Sequence, residues 1–204
     1  MSVMIIDYGM GNLNSVQRAL EEVGAAVFIS DSPADIKESS ALLLPGVGAF
    51  PEGMDNLQSS GMVEAIRSAA LEDRIPMLGI CLGMQLLADI GDEGIETKGL
   101  GLIPGRVTRI KPNADEKLPH IGWNEVHPTS PHPMFDGINP GTDFYFVHSY
   151  HYEQCESDTA AITSFAGGIT SAVARDNIWG VQFHPEKSSK PGLKLLENFI
   201  SLSY

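Results

Sequence analysis

Short segments made only of apolar residues and glycine are the feature that most restricts how this chain can fold. Three of them, residues 3–6, 41–44 and 77–80, do not alternate with polar residues. Strands with this pattern are buried on both faces, as in a parallel sheet that helices cover on each side. Apolar residues at helical spacing, such as Val16 and Leu20, lie between the first strands. The N-terminal half therefore predicts alternating strands and helices, in an α/β fold with a mostly parallel sheet.

The second half of the chain has a different pattern. Beyond Gly91, glycine, proline and short β-rich segments dominate, including residues 106–110, 144–147 and 178–183. These segments favour antiparallel additions to the sheet, and helical spacing of apolar residues predicts a last helix at about residues 192–201. No repeat, low-complexity tract or linker divides the chain, so residues 1–204 are expected to form one domain.

Composition excludes several classes of partner. The 204 residues include 13 Lys and Arg against 26 Asp and Glu, and the formal net charge of −13 repels nucleic acid and anionic membranes. The longest uncharged segments, residues 75–88 and 159–174, are too short to cross a bilayer, and no cationic stretch suggests a signal peptide. Two cysteines are too few for a disulfide framework. We therefore expect a cytoplasmic protein with neither nucleic acid nor membrane as a partner.

The sequence Gly79-Ile80-Cys81-Leu82-Gly83 lies where an apolar strand meets a predicted helix. It has the form of a nucleophile elbow, in which glycines flank a residue that is held in a tight turn above the sheet. Backbone N–H groups at a helix start favour a thiolate at Cys81, and the N–H of Leu82 could stabilise an oxyanion. The alternative is that Cys81 is a small buried apolar residue and that the glycines serve packing.

A nucleophilic thiol needs a base, and the base needs a group that orients it. His184 and Glu186 directly follow a predicted strand, and residues two apart on a strand face the same side. Glu186 could therefore hold the His184 imidazole, although each residue alone is equally typical of a solvated loop. The segment Pro45-Gly46-Val47-Gly48 follows another strand, so it could lie beside Cys81 and offer a further N–H group. Taken alone, this segment is an ordinary tight turn.

Together these motifs resemble those of the class I, or triad, glutamine amidotransferases. Five segments are more narrowly similar to the glutaminase subunits of imidazole glycerol phosphate synthase, and they extend over nearly the whole chain. They are Asp7-Tyr8-Gly9-Met10-Gly11-Asn12-Leu13, Pro45-Gly46-Val47-Gly48-Ala49-Phe50, His120-Ile121-Gly122-Trp123-Asn124, Phe144-Tyr145-Phe146-Val147-His148-Ser149-Tyr150 and Phe183-His184-Pro185-Glu186-Lys187-Ser188. Ile121 stands where methionine is expected, a departure that touches no triad position. The resemblance implies a single-domain, three-layer, flavodoxin-like fold in which residues 1–204 are one type 1 glutamine amidotransferase domain.

The resemblance also implies a reaction. Cys81, His184 and Glu186 would form a catalytic triad that hydrolyses L-glutamine to glutamate and ammonia without a cofactor or a metal ion. The N–H groups of Val47 and Leu82 would stabilise the oxyanion, and Gln85 would help to hold the substrate. Because Gly46 and Gly48 permit unusual backbone angles, the loop peptide between them could point away from the oxyanion at rest and turn when a partner binds.

The implied partner is a (β/α)₈-barrel cyclase subunit in a heterodimer. It would use the ammonia to form imidazole glycerol phosphate and an aminoimidazole carboxamide ribotide in histidine biosynthesis. Four residues are expected on the docking and signalling face: Asn12, Trp123, His148 and Lys187. A buried tryptophan and a solvated lysine are the alternatives for Trp123 and Lys187.

Three other functions remain open at this point: the glutaminase subunit of pyridoxal phosphate or anthranilate synthesis, a stand-alone cysteine hydrolase, and a binding module in which Cys81 is merely packed. The Tyr8–Leu13 turn, the Gly-Trp-Asn segment and Lys187 argue against the first of them. The sequence assigns no role to four further residues, His127, His132, His151 and Cys155. No His, Cys and carboxylate cluster has the spacing of metal ligands.

Overall fold

The computed structural model describes residues 2–153 and 157–201. Its strands are β1 (Ser2–Ile6), β2 (Ala26–Ser30), β3 (Ala41–Leu44), β4 (Met77–Ile80), β5 (Ile90–Glu93), β6 (Ile95–Lys98), β7 (Arg106–Arg109), β8 (His120–Pro128), β9 (Thr142–His148), β10 (Tyr150–Tyr152), β11 (Thr159–Thr163), β12 (Ile169–Arg175) and β13 (Ile178–Val181). Its α-helices are α1 (Leu13–Glu22), α2 (Phe50–Ser59), α3 (Met62–Leu71), α4 (Leu82–Leu86) and α5 (Ser189–Ser201). Three short 3₁₀ helices lie at Pro33–Glu38, Pro133–Phe135 and Pro185–Lys187.

The larger sheet confirms the predicted architecture. Its order is β2-β1-β3-β4-β13-β12-β11-β8-β9, and the first five of these strands run parallel. From β13 onward each strand pairs antiparallel with its neighbour, as the pattern of the C-terminal half predicts. The parallel part has the strand order of a flavodoxin-like fold, whose ligands bind at the carboxyl ends of the strands.

The sheet lies between two apolar cores, which makes the fold three-layered. Alternate residues of a strand face opposite sides of a sheet. Accordingly, Met4 and Ile6 of β1 belong to one core, together with residues of α2 and α3, whereas Val3 and Ile5 belong to the other, together with residues of α1 and α5. Burial on both faces explains why these strands are apolar at every position.

Helix α2 was not evident from the sequence. Its segment contains Pro51 and Gly53, so intrinsic helix propensity is weak even though its buried apolar side chains recur at helical spacing. Pro51 suits the first turn of a helix, and Gly53 lets α2 pack closely on Leu86 of α4, which a Cβ would approach to 3.2 Å. Tertiary packing therefore decides this helix.

A second, four-stranded sheet has the order β10-β7-β5-β6. The β5–β6 hairpin packs beside α2, where Gly91 lies against the Phe50 ring so closely that a Cβ would overlap it. This sheet brings Glu93 and Tyr150 towards the carboxyl ends of the parallel strands. No helix within residues 2–153 and 157–201 is both long and apolar enough to cross a membrane.

Candidate active site

Cys81 occupies a strained turn between β4 and α4. Its φ of 54° and ψ of −109° lie in a region of backbone conformation that residues other than glycine rarely adopt. The turn is held by backbone hydrogen bonds, since the Cys81 N–H donates to the Val181 carbonyl over 2.8 Å. A Cβ on Gly83 would overlap the Leu44 carbonyl oxygen, and one on Gly79 would lie 2.7 Å from the Gly83 oxygen. The two glycines are therefore needed for packing, and that packing forms the elbow.

His184 and Glu186 stand next to this elbow because β13 and β4 are parallel neighbours. The register pairs Val181 with Ile80, so the carboxyl ends of both strands lie side by side. Nδ1 of His184 and Oε1 of Glu186 are 2.8 Å apart, and only 3% and 2% of the two side chains are exposed. Ser188 Oγ donates to the His184 carbonyl over 2.6 Å and so fixes the turn that carries both groups.

The environment of His184 favours its protonated form. Burial alone would lower the pKa of the ring, but the nearby sulfur of Cys81, together with the hydrogen bond and the negative charge of Glu186, outweighs desolvation. The pKa of His184 is raised from 6.5 to about 9. Nε2 makes no hydrogen bond to any part of the chain that the structure describes, so this nitrogen remains available to a reacting group.

The predicted oxyanion donors are not both free. The N–H of Leu82 donates to the Gly46 carbonyl oxygen over 3.3 Å. In a trans peptide the C=O and the following N–H point in opposite directions, so the N–H of Val47 points away from Leu82. Gly48, with φ of 124°, ends this segment in a conformation that suits glycine, and Met10 packs against it. In this geometry the loop peptide does not present the Val47 N–H beside that of Leu82.

A cleft of about 340 Å³ opens above Cys81, within the range of small-ligand sites. Its walls come from the elbow, the glycine loop, the β5–β6 hairpin and the end of β9. The lining residues are Val47, Gly48, Cys81, Leu82, Gln85, Glu93, Pro119, Val147, His148, Ser149 and Tyr150. Within the described residues, no group of three or more His, Cys, Asp or Glu side chains is arranged to hold a metal ion.

The four residues expected on a docking face fall into two groups. Trp123 is 53% exposed, and Asn12 and Lys187 are exposed as well. Asn12 also accepts the N–H of Ser15 and caps α1, and Lys187 Nζ lies 6.0 Å from the centre of the Tyr145 ring.

His148 differs from the other three residues. It is only 7% exposed and lines the cleft, so a place on the free surface is wrong for this side chain. The reason is that β9 directs alternate residues inward, and His148 shares the inward face with Phe146 and Phe144.

The remaining histidines do not reach the site. His127 pairs with Glu125 on the surface over 3.0 Å, and His132 accepts the Met134 N–H and packs edge-on against Trp179. His151 lies on β10. Cys155 lies outside the described residues.

Sequence reasoning missed two residues at the site. Glu93 reaches the cleft only because the second sheet folds over α2, and nothing local in the sequence signals this. Gln182 is fully buried beside Cys81; its position two residues before His184 on an extended segment is the signal that could have identified it.

The comparisons with known proteins agree with this geometry. The family model of glutamine amidotransferase class-I matches residues 4–202. Imidazole glycerol phosphate synthase subunit HisH of Moorella thermoacetica is 50% identical over 97% of this chain and 93% of its own. The HisH 1 subunit of Campylobacter jejuni is 44% identical over 98% of this chain and all of its own.

A solved structure shares the fold at low sequence identity. A glutamine amidotransferase from Thermotoga maritima has a TM-score of 0.73 at 17% identity, covering 100% of this chain and 97% of that one. Fold, family match and full-length relatives therefore converge. The chain belongs to the class-I glutamine amidotransferase family and, within it, to the HisH subunits of imidazole glycerol phosphate synthase.

Proposed function

We propose that this chain is a glutaminase that hydrolyses L-glutamine to glutamate and ammonia within an imidazole glycerol phosphate synthase, of which it is the amidotransferase subunit. The observation that carries the proposal is the strained Cys81 elbow beside the buried His184–Glu186 pair, at the base of a cleft. A nucleophile, a base and an orienting group at adjoining strand ends are what acyl transfer requires.

The reaction follows from the roles that these groups can take. The Cys81 sulfur attacks the side-chain amide carbon of glutamine, and His184 gives a proton to the nitrogen, which leaves as ammonia. A thioester remains on Cys81. His184 then takes a proton from water, the water oxygen attacks the thioester, and glutamate leaves. The raised pKa of His184, about 9, supports proton donation at neutral pH, and Glu186 keeps the ring aligned.

Oxyanion stabilisation is proposed to require a turn of the Gly46–Val47 peptide. In the resting geometry the N–H of Leu82 donates to the Gly46 carbonyl oxygen, so it is not free to bind an oxyanion. The N–H of Val47 faces away from Leu82. A reversal of this peptide would release the Leu82 N–H and bring the Val47 N–H beside it. Two donors aimed at a developing oxyanion contribute several kcal/mol, on the order of 3 each. The resting enzyme should accordingly be slow.

Glu93 and Gln85 are proposed to bind the α-amino end of the substrate. Glu93 Oε2 accepts the N–H of Phe50 over 2.7 Å, which holds the carboxylate at the cleft wall and leaves Oε1 for an ammonium group. The amide nitrogen of Gln85 donates to the Tyr150 carbonyl and to Gln182, each over 3.0 Å. Its Oε1 is therefore the atom that remains to accept from a substrate.

The partner is proposed to be a (β/α)₈-barrel cyclase subunit that receives the ammonia. Ammonia is mostly protonated in neutral water and is then a poor nucleophile, so it is useful only when it passes directly to an acceptor. Trp123 and Ile121, 53% and 58% exposed, form an apolar patch of the kind that anchors an interface. Asn12 and Lys187 are exposed polar groups that could complete this face.

We also propose that residues 1–204 form a single type 1 amidotransferase domain, since the family match extends over residues 4–202. A nucleophilic thiol that must stay unpaired works best in a reducing compartment, which supports the cytoplasm as its location.

The decisive experiment measures glutamate release from L-glutamine by the wild type and by Cys81→Ala, with and without the cyclase partner and its nucleotide substrate. The wild-type rate should rise on addition of the partner, and Cys81→Ala should be inactive in both conditions while it keeps the wild-type circular dichroism spectrum. Ammonia release by Cys81→Ala would overturn the proposal. A full rate without a partner would instead indicate a stand-alone hydrolase.

A further inference from the structure

A buried chain of hydrogen bonds ends on the sulfur of Cys81. Nε2 of Gln182 lies 3.7 Å from Cys81 Sγ, and Oε1 of Gln182 lies 3.0 Å from Nε2 of Gln85. Gln85 Nε2 also lies 3.0 Å from the Tyr150 carbonyl oxygen. Gln182 is fully buried and Gln85 is 5% exposed, so water does not compete for these groups.

The direction of each bond in this chain is determined. The Tyr150 carbonyl can only accept, so the amide nitrogen of Gln85 must face it. The second hydrogen of that nitrogen then faces Gln182, which must present its oxygen. Consequently the NH₂ group of Gln182 is the end that faces Cys81, and it donates to the sulfur.

A pair of neutral histidines anchors the other side of the Tyr150 carbonyl. Nδ1 of His148 donates to this oxygen over 2.7 Å, which leaves Nε2 of His148 to accept from Nδ1 of His120 over 2.9 Å. Nε2 of His120 in turn accepts from the Asn124 amide over 3.2 Å. The carbonyl that orients Gln85 is thus held from both sides by groups whose donors and acceptors match.

We propose that Gln182 is a positioning residue for the reaction: its side-chain N–H holds the Cys81 sulfur in the attacking orientation, and Gln85, fixed by the Tyr150 carbonyl, keeps the Gln182 amide from turning over. The inference rests on the proposed glutaminase function and adds a group to it. In the thiol form Cys81 donates weakly to the Val147 carbonyl over 3.9 Å. As a thiolate it can only accept, and Gln182 is the neutral side chain that supplies a donor.

Gln182 does not line the cleft, so its effect should separate from substrate binding. Loss of a hydrogen bond to a charged atom should lower kcat about tenfold or more. The KM for glutamine should stay within about twofold of the wild-type value, since no substrate contact is removed. A residue that served the fold alone would change the melting temperature without this separation of kcat from KM.

The test compares Gln182→Met, which keeps an unbranched side chain but has no donor, with Ser171→Ala. Ser171 is fully buried, its hydroxyl has no hydrogen-bond partner within residues 2–153 and 157–201, and its carbonyl accepts the Gln182 backbone N–H. It therefore controls for loss of a buried polar atom on the neighbouring strand. Glutamine hydrolysis is measured in the complex with the cyclase subunit, and iodoacetamide alkylation of Cys81, located by mass spectrometry, is measured on the free chain.

We expect Gln182→Met to lose about tenfold or more in both kcat and alkylation rate, with Ser171→Ala equal to the wild type in both. Equal rates for Gln182→Met and the wild type would overturn the inference while leaving the proposed glutaminase intact, provided that Cys81→Ala is inactive. If Gln182→Met does not fold, the Gln182 side-chain amide resonance decides. It should shift in Cys81→Ala, and an unmoved resonance would overturn the inference.

Discussion

Replacing Glu186 by glutamine isolates the charge of the orienting carboxylate. The His184 Nδ1 and Glu186 Oε1 atoms are 2.8 Å apart, with 3% and 2% of the side chains exposed. A glutamine can present its own Oε1 to the same nitrogen, so the Glu186→Gln variant keeps the shape and the hydrogen bond and loses the charge. We expect the imidazolium to lose about half of the stabilisation that it gains from this partner.

The size of the effect follows from the burial of the pair. A hydrogen bond to a charged group contributes about 1.5–3 kcal/mol and a neutral one about 0.5–1.5 kcal/mol. Losing the charge while keeping the bond should therefore cost about 1–1.5 kcal/mol, which corresponds to a change of about one in a pKa. The pKa of His184 is about 9 in the wild-type chain, and in Glu186→Gln it should fall below this value. The fall should be visible because burial, which lowers the pKa of His184, is then less strongly opposed.

Two assays measure this change. The basic limb of the pH–rate profile for glutamine hydrolysis by the complex reports the loss of the proton that His184 gives to ammonia, and NMR titration of His184 reports the same pKa directly. Glu125→Gln is the matched control, because Glu125 also pairs with a histidine two residues away, over 3.0 Å, but with side chains 60% and 40% exposed. A basic limb that is unmoved in Glu186→Gln would refute the assigned role of the carboxylate.

The raised pKa of His184 also makes the free energy of unfolding depend on pH. The folded pKa of His184 lies above its ordinary value of 6.5, so the folded state binds the proton more tightly than the unfolded state does. This stabilisation is fully present below pH 6.5 and is lost as the pH rises through about 9. Glu186→Gln should therefore show its largest loss of melting temperature, relative to the wild type, on the acidic side of this window.

Two further predictions concern the substrate and the partner. Glu93→Gln should raise the KM for glutamine about tenfold with little change in kcat, because a charge that faces the α-ammonium group stabilises the bound substrate and the transition state equally. Steady-state kinetics measure both constants, and a fall confined to kcat would contradict this role. Trp123→Ala should weaken binding of the cyclase subunit by about 2 kcal/mol, or roughly thirtyfold, in a calorimetric titration, whereas Leu71→Ala, which removes an apolar side chain 45% exposed on α3, should not; equal affinities for the two variants would exclude Trp123 as an anchor.

The parallel part of the fold was predictable because it depends on local sequence. The strands at residues 41–44 and 77–80 and the helix at residues 62–71 have bounds that agree with the sequence pattern. Helix α5 begins at Ser189 rather than at about residue 192, because Pro191 fits its first turn. The second sheet was not predictable, since its β5–β6 hairpin is polar and short and acquires its place only by packing on α2.

The site was predictable to the extent that its residues come directly after strands. Cys81 and His184 each follow one of two neighbouring parallel strands, so strand order alone brings them together. The orientation of the glycine loop could not be predicted with the same directness. The sequence indicates that Gly46 and Gly48 permit more than one backbone conformation, but it does not show which acceptor the Leu82 N–H binds. The role of Gln182 could not be predicted for a related reason. Its partner Gln85 lies on α4, and the Tyr150 carbonyl that orients Gln85 lies on β10, and both are distant from Gln182 in sequence.

The two arrangements around Cys81 act on different stages of the same reaction. The amide of Gln182 reaches the sulfur in the resting geometry, so the nucleophile is ready before a partner is present. The oxyanion donors are not ready, because the Leu82 N–H is bound to the Gly46 carbonyl. A chain with this combination should alkylate readily at Cys81 yet hydrolyse glutamine slowly, since alkylation forms no oxyanion and hydrolysis does. Partner binding should then raise the hydrolysis rate far more than the alkylation rate, and a parallel rise in both would place the control on the nucleophile instead of on the loop.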